Sequence, residues 1–521
     1  HGLGQGYDII DYFNVRPDVG NAADLRSLVQ TAHANGIRVL LDFVPNHSSS
    51  FHPYAQDAVL KGQRSYYYAF YQHDMNDGAR YSGDYISRTE GQMQFVCYRF
   101  WNSELVNLDY NNPDVRRWII EASSYWIREF DVDGYRIDAV WGVTARTPEF
   151  TKQWRLALKR IKPEILMLAE DKAKYAPVFD ERFDAAYDWS PEEGWVSHWN
   201  WQPQYNPDNT IFNNTNANTR ATLLRTALTG FPPGAKVLHF MENNDTYRFL
   251  DRHGLPRTTM VGMMLFSLPG IPLLFNGQEI GASEHPYSAT SIFQANKSIQ
   301  SLDTRGLFPF YRNVIAMRKQ FRALMSDNFA EVPVSPSTTV FAYRRWLGEQ
   351  NIFPVLNMGA TAATVQMQLP VADLNLDSAR TYYLTDYFTG QTFTGTRQTL
   401  TSLSVPLGAF STRILVLDTV AITGVEPGGT AALPVELSLA QNFPNPFNPS
   451  TIIRFELPNS GKVSLRVYDI LGREVGVLLD GGAVAGRHEV LFDGSHLASG
   501  IYLYRLEFGS RALVQKMLLI K

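Results

Sequence analysis

The chain has 521 residues, of which 45% are hydrophobic and 19% are charged, and its formal net charge is −4. This length exceeds what one hydrophobic core usually holds, so several domains are expected, and the small net charge argues against nucleic acid as the main partner. No apolar run is long enough to suggest a membrane span, and the single cysteine, Cys97, excludes an internal disulfide.

Residues 20–280 alternate predicted helices and strands. The first helix is predicted within residues 21–36, with Asn21 as its N-cap and Asn35-Gly36 as its end. Four apolar side chains lie on one face of it, namely Leu25, Leu28, Val29 and Ala32. The elements predicted after it are a strand at 37–47, a helix that starts at Pro113, the strand "GYRIDAV" at 134–140, a helix at 148–161, and strands at 164–171, 183–189, 236–242 and 271–276. Such alternation predicts an α/β fold with a parallel sheet, whose active site lies at the carboxyl ends of the strands.

Four regions do not follow this alternation of helices and strands. Residues 48–110 predict a small irregular subdomain inserted after the strand at 37–47, and residues 326–418 predict an antiparallel β-domain. The Gly/Pro/Ala-rich stretch 419–436 predicts a linker. Residues 437–521 alternate apolar and polar side chains between turn signals, which predicts a small β-sandwich. The α/β part of the chain is thus expected to end near residue 325.

Carboxylates stand at or just past the ends of three predicted strands, namely Asp138, Glu170 and Asp245. One such acid often caps the following helix, but three at one sheet edge favour glycosidic cleavage, which needs an acid pair. Arg136 shares a strand face with Asp138 and can keep that carboxylate ionised. A purely structural Arg–Asp pair is the alternative reading of these two residues.

The order of six short motifs gives a more specific prediction than any single residue. The chain contains in turn "GYDIIDYFNV", "DFVPNH", "GYRIDAV", "LAED", "ENND" and "GIPLLFNGQEIG". Over about residues 1–420 this series resembles the α-amylase family of glycoside hydrolases. The resemblance implies a (β/α)8-type barrel in which Asp138 is the nucleophile, Glu170 the acid/base, and Asp245 the residue that grips sugar hydroxyls. It also implies that the first two strands and the first helix are absent, and the start at His1 without Met predicts a missing N-terminus.

The same resemblance implies further site residues. Arg136 matches the arginine beside the nucleophile, with Asp42 as the acid that holds it, and His47 matches a sugar-binding histidine. Tyr7 matches an aromatic residue that stacks on the sugar beside the scissile bond. Asn244 stands where the family usually has a histidine, so contacts at that sugar are expected to differ.

Two other positions also depart from the family pattern. Trp141 lies in "VWG", where starch-cleaving members have Lys-His, and Gln5 replaces a frequent histidine.

Calcium is implied only by the resemblance. Asn46 of "PNH" and Asn107 of "LVNLDY" match the positions of its ligands in the family. Amide oxygens can bind this hard cation, although with less charge than carboxylates. The alternative is that Asn46 only hydrogen-bonds its loop. No organic cofactor is expected.

Residues 437–521 resemble the sorting domain of the type IX secretion system, through "NFPNPFNPST" and "SGIYLYRLEFG". The resemblance implies a secreted or cell-surface bacterial protein that meets the secretion machinery through this domain. A sugar-binding module is the alternative.

The sequence therefore predicts a secreted, monomeric, retaining glycoside hydrolase that cleaves α-1,4-glucosidic bonds in starch or maltodextrins. Two alternatives stay open. One is a transglycosylase or small-oligosaccharide glucosidase of the same family, and the other is a catalytically silent carbohydrate-binding fragment.

Overall fold

The structure is a computed structural model. It describes residues 2–3, 6–74, 85–98, 104–188, 220–285, 287, 297–420, 437–442, 444–458, 461–483 and 486–520. Gln5 and nearly all of the predicted linker at 419–436 lie outside these residues. The chain divides into two compact units, one within residues 1–190 and 230–238, the other within 191–229 and 239–521.

The first unit combines a parallel sheet with helices. Its strands are β1 (Gly2–Leu3), β2 (Asp8–Ile9), β3 (Leu40–Phe43), β4 (His47–Ser49), β5 (Tyr85–Glu90), β6 (Met93–Tyr98), β7 (Leu105–Asn107), β8 (Gly134–Ile137), β9 (Leu166–Lys172), β10 (Ala185–Tyr187) and β11 (Val237–His239), the last ending at the unit boundary. Its α-helices are α1 (Ala22–Ala34), α2 (Pro53–Lys61), α3 (Pro113–Phe130), α4 (Val140–Arg146) and α5 (Pro148–Ile161).

The parallel sheet has the order β11-β10-β9-β8-β3 among the residues described for this unit. Because strands that neighbour in sequence also neighbour in the sheet, each helix between them packs back on the same sheet. Tyr135 and Ile137 of β8 are fully buried in one core with Phe150 and Trp154 of α5. Side chains alternate along a strand, so this packing turns Arg136 to the opposite face.

Local sequence signals explain the helix ends. Asn21 caps α1 by accepting from the main-chain N–H of Ala23, and Asp24 returns a bond to the N–H of Asn21. Asn112 caps α3 by accepting from the main-chain N–H of Asp114, ahead of Pro113 at the first helical position. The predicted stripe of α1 is only partly buried, since Val29 is buried whereas Leu28 is 56% exposed.

A second sheet in this unit is antiparallel, with the order β4-β7-β6-β5. It follows the end of β3 and precedes α3, within the stretch 48–110 where an inserted subdomain is predicted. Cys97 on β6 is buried and free, and burial raises the pKa of its thiol to about 12. The thiol is therefore inert at neutral pH.

The second unit contains the α-helices α6 (Arg220–Ala227), α7 (Phe249–Ser267) and α8 (Leu307–Gln320) and the short strand β12 (Ile271–Pro272). The strands that follow are β13 (Phe329–Glu331), β14 (Val334–Ser335), β15 (Val340–Leu347), β16 (Gln350–Asn357), β17 (Ala363–Met367), β18 (Thr381–Asp386), β19 (Thr392–Thr396), β20 (Leu403–Leu407) and β21 (Ser411–Asp418). They form antiparallel sheets of order β13-β15-β16-β21-β18-β19 and β14-β17-β20 around a shared apolar core. The strands described between residues 329 and 418 thus pair in an antiparallel way.

The last strands are β22 (Ser438–Leu439), β23 (Ser450–Leu457), β24 (Gly461–Asp469), β25 (Glu474–Ala483), β26 (Gly486–Asp493), β27 (Gly500–Phe508) and β28 (Arg511–Leu519). They form two sheets, β22-β23-β26 and β25-β24-β27-β28, whose inward side chains make a separate core. This is the predicted β-sandwich pattern. No helix within the described ranges is long and apolar enough to cross a membrane.

Candidate active site

Strand β8 positions the first two candidate residues. Arg136 lies on β8, and Asp138 follows its last residue with its main-chain N–H donating to the carbonyl of Phe43 over 2.9 Å. This bond continues the pairing of β8 with β3 and holds Asp138 at the carboxyl end of the sheet. Glu170 lies on β9, the next strand of the same sheet.

The guanidinium of Arg136 brings three carboxylates together. Its Nη1 contacts Asp138 Oδ1 at 2.7 Å and both oxygens of Asp42 at 3.0 Å, and its Nη2 lies 2.8 Å from Glu170 Oε1. The side chains of Arg136, Asp138 and Glu170 are nearly buried, whereas that of Asp42 is 41% exposed. The two predicted catalytic carboxylates therefore bind neighbouring nitrogens of one cation.

Charge pairing dominates the electrostatics of this cluster. Burial disfavours the charged guanidinium, but the carboxylates of Glu170, Asp42 and Asp138 outweigh it and raise the pKa of Arg136 above its ordinary value. The permanent positive charge of Arg136 in turn favours the ionised forms of Asp138 and Glu170. The Arg136–Asp138 ion pair can therefore stabilise the strand and at the same time hold a catalytic carboxylate in its ionised form.

A main-chain N–H that the sequence did not indicate also contacts Glu170. The N–H of Ala139 donates to Glu170 Oε2 over 2.6 Å. Ala139 has φ 45° and ψ 31°, the left-handed conformation that costs a residue with a Cβ about 1–2 kcal/mol. This strained turn directly after the candidate nucleophile aims a donor at the candidate acid, and strain of this kind concentrates at functional sites.

Two aromatic side chains flank Arg136. The hydroxyl of Tyr7 donates to Asp42 Oδ2 over 3.0 Å, and the ring centroid of Tyr7 lies 5.8 Å from the guanidinium carbon. On the other side Tyr187, at the end of β10, accepts from Arg136 Nε over 3.2 Å. Burial raises the pKa of Tyr187 to about 12. Tyr187 was not predicted as a site residue, because nothing local distinguishes it from a core tyrosine.

His47 is buried and held neutral. Its Nδ1 accepts from the side-chain amide of Asn46 over 3.2 Å. Burial, assisted by the charge of Arg146, lowers the pKa of His47 to about 3. The imidazole ring stacks on Tyr98 with a centroid distance of 5.8 Å, and Trp141 lies 6.1 Å beyond Tyr98. A neutral ring N–H in a fixed orientation suits the predicted contact with a sugar hydroxyl.

Asp245 belongs to the second unit and is described within it. Its Oδ1 accepts from the hydroxyl of Tyr287 over 2.5 Å and from the amide of Asn244 over 3.1 Å. Asn243 accepts from the main-chain N–H of Asp245 over 2.9 Å, which fixes the loop. Tyr287 lies 42 residues away in sequence, so its role could not be predicted. Asn244 thus contacts the carboxylate itself in addition to any sugar.

The predicted calcium ligands do not fit a calcium ion as they are placed. Asn46 and Asn107 are buried side by side, with Asn46 Nδ2 donating to Asn107 Oδ1 over 3.4 Å. Asn46 Oδ1 already accepts from Arg146 Nη2 over 3.0 Å. Calcium takes six to eight oxygen ligands, usually with carboxylates among them. Within the part of the chain that the structure describes, no cluster of three His, Cys, Asp or Glu side chains could hold a metal ion.

Asp171 beside Glu170 gives a pH-dependent prediction. It is buried, and burial raises its pKa from 3.8 to about 6. A raised pKa means that the folded state binds the proton more tightly, so stability falls as pH rises from about 4 to 6. Asp171→Asn should therefore raise the free energy of unfolding at pH 7 by up to about 3 kcal/mol.

The difference should fall to about 0.5 kcal/mol near pH 4, where the carboxyl is protonated in the folded state and partly protonated in the unfolded chain. Melting temperatures of parent and variant at pH 7.5 and pH 4 check this expectation. Asp251→Asn, at an exposed position of α7, is the control. Equal melting temperatures at both pH values would contradict the burial argument.

Comparisons with known proteins agree with the fold. Solved structures that are similar include a maltogenic alpha-amylase from Thermotoga neapolitana (TM-score 0.59, 20% identity, 80% of this chain and 86% of that one). A debranching enzyme from Nostoc punctiforme is also similar (TM-score 0.61, 22% identity, 80% and 83%). At these identities the likeness concerns the fold.

Two relatives are similar in sequence. A cyclomaltodextrinase from Geobacillus thermopakistaniensis is 25% identical over 77% of this chain and 63% of its own length. An intracellular maltogenic amylase from Bacillus subtilis is 26% identical over 71% and 58%. The chain thus spans about three fifths of the length of the curated relatives that it matches.

Two family models match distinct parts of the chain. The model of a secretion system C-terminal sorting domain matches residues 441–521, which indicates a secreted or cell-surface bacterial protein. The model of the alpha-amylase catalytic domain matches residues 3–305, more than half of the chain. The chain therefore belongs to the alpha-amylase family.

Proposed function

We propose that the protein is a retaining glycoside hydrolase that cleaves α-1,4-glucosidic bonds in starch or maltodextrins. The observation that carries this proposal is the pairing of Asp138 and Glu170 with one guanidinium, Arg136. Retaining enzymes hold their two carboxyl groups about 5–5.5 Å apart, close enough for one to attack while the other protonates. Asp138 and Glu170 contact adjacent nitrogens of the Arg136 guanidinium, which suits a short distance between their carboxyl groups.

In this mechanism Asp138 attacks the anomeric carbon, and Glu170 protonates the departing oxygen. The glycosyl–Asp138 ester is then hydrolysed by a water molecule that Glu170 deprotonates. Arg136 and Ala139 both stabilise the charged form of Glu170, which suits the second step. For the first step Glu170 must carry a proton, so its side chain is expected to leave Arg136 when a substrate enters.

The remaining predicted residues would bind the sugar. His47 would donate from Nε2 to a hydroxyl, and Asp245, oriented by Tyr287, would accept from others. Tyr7 is proposed to offer its ring face to the sugar beside the scissile bond. The names of the relatives, cyclomaltodextrinase and maltogenic amylase, favour maltodextrins over other α-glucans.

Transfer to a sugar acceptor is the second candidate. Trp141 lies on the helix directly after Asp138 and is half-buried beside Tyr85 and Tyr98. An aromatic surface there could hold an acceptor sugar, which would compete with water for the covalent intermediate. The third alternative, a silent binding protein, is disfavoured because the three acids are present with their partners.

The proposed organisation is a catalytic barrel in residues 1–325 with an insert at 48–110, a β-domain at 326–418, a linker at 419–436 and the sorting domain at 437–521. The protein is proposed to act as a monomer and to need no organic cofactor.

Product analysis tests the proposal. The purified protein is incubated with soluble starch, a cyclomaltodextrin and maltotriose, and the anomeric protons are followed by NMR. We expect the α-anomer to appear first, because two displacements restore the configuration. First appearance of the β-anomer would indicate inversion and would overturn the mechanism. Products longer than the substrate would favour transfer.

A further inference from the structure

The side chain of Arg146 contacts Asn46, one of the two residues that the family resemblance implies as calcium ligands. Arg146 is the last residue of α4, and its Nη2 donates to Asn46 Oδ1 over 3.0 Å. Its Nη1 donates to the hydroxyl of Tyr85 over 3.3 Å, and that hydroxyl in turn donates to Asn46 Oδ1 over 3.4 Å. The amide oxygen of Asn46 thus accepts from two donors, one of them a cation.

The other half of the Asn46 amide is also engaged. Because Oδ1 faces Arg146, Nδ2 faces Asn107 Oδ1 at 3.4 Å and His47 Nδ1 at 3.2 Å. Asn107 then donates to Gln72 Oε1 over 3.2 Å. Asn46, Asn107 and Gln72 are all buried, so each polar atom needs a partner. The side-chain amides of Asn46, Asn107 and Gln72 thus hydrogen-bond to one another in a row, and the guanidinium of Arg146 binds at the Asn46 end.

Because Gly142 has no side chain, it leaves space for this cluster. A Cβ at Gly142 would lie 2.6 Å from the hydroxyl of Tyr85, 2.7 Å from Asn46 Oδ1 and 3.3 Å from Arg146 Nη1. Contacts below 3.0 Å would force the backbone or the cluster to move. The glycine therefore allows α4 to approach the loop between β3 and β4 closely enough for Arg146 to reach Asn46.

We propose that the guanidinium of Arg146 replaces a structural calcium ion at Asn46 and makes this fold independent of calcium. It ties the loop between β3 and β4 to the helix that follows the catalytic strand, which is a task that a metal ion could perform. Guanidinium is weakly hydrated and presents several fixed donors, so it suits a nearly closed polar site. A divalent cation would meet uncharged amide oxygens there and the repulsion of Arg146.

Calcium binding to the whole protein is measured first. The purified protein is dialysed against EDTA or against excess CaCl2, and its melting temperature and bound calcium are determined. We expect the two melting temperatures to agree within about 1 °C, because an ion that does not bind the folded state cannot stabilise it. We also expect no stoichiometric calcium. A higher melting temperature in CaCl2 with one bound ion per chain would overturn the proposal.

A matched pair of variants tests the arginine itself. Arg146→Met keeps the aliphatic stem and removes the charge and the donors, and Arg160→Met makes the same change at an exposed position of α5. We expect Arg146→Met to melt several degrees below Arg160→Met, because Asn46 and Tyr85 lose a donor and a partner in a buried site. Equal melting temperatures would overturn the proposal. If Arg146→Met does not fold, the calcium measurement on the parent still decides.

Discussion

Asp138→Asn is expected to reduce turnover of maltotriose by a factor on the order of 10⁴ or more. The neutral amide is not a nucleophile, so no glycosyl intermediate forms. The shape of the side chain is kept, and its Oδ1 can still accept from Arg136, which also retains Asp42 and Glu170. Folding and sugar binding should therefore persist, as measured by circular dichroism and by titration calorimetry with maltotriose.

Asp171→Asn is the matched control, because it makes the same chemical change one residue from Glu170 without touching the proposed chemistry. It should retain turnover near that of the parent. A second experiment uses Asp138→Ala with azide, a small nucleophile that fits the vacated space. Azide should restore turnover and give a glycosyl azide of inverted configuration. If Asp138→Asn keeps more than a tenth of the parental turnover, Asp138 is not the nucleophile.

Deletion of residues 437–521 is expected to abolish export from a host with type IX machinery, while turnover of soluble maltodextrin stays near that of the parent. The two sheets of this sandwich bury their own side chains, among them Leu465, Val467 and Tyr504, in a core drawn from these residues alone. Its strands pair only with one another within the described residues. The domain should therefore fold independently of the catalytic part.

The reciprocal control fuses residues 437–521 to an unrelated soluble protein, which should then be exported. If the domain instead binds sugar, the deletion leaves export unchanged and slows attack on granular starch. A large fall in activity on soluble substrate would show structural coupling. Such coupling would involve α7, because a Cβ at Gly482 would lie 3.6 Å from Leu255 of that helix.

The sequence predicted those parts of the site that depend on local periodicity. Alternation along β8 placed Arg136 and Asp138 on one face, and the burial of Tyr135 and Ile137 on the other bears this out. The Asn21 cap of α1 was likewise readable, since the capping bonds involve neighbours in sequence.

Long-range partners could not be predicted in this way. Tyr187 meets Arg136 across 51 residues, and Tyr287 meets Asp245 across 42. The left-handed turn at Ala139 carries no signal either, because alanine has no preference for that conformation. Leu28 shares the apolar stripe of α1 and yet stays exposed, since burial depends on what packs on a face as well as on its composition.

The protonation state of His47 determines how its sugar contact would depend on the pH outside the cell. With a pKa near 3, its ring carries no charge anywhere between mildly acidic and alkaline surroundings. An ordinary histidine side chain gains or loses its charge near neutral pH, but burial prevents this change in His47. The ring would therefore present the same hydrogen-bond donor to a sugar at acidic and at neutral pH. Acids released by the breakdown of carbohydrate would not weaken the binding of substrate at this position.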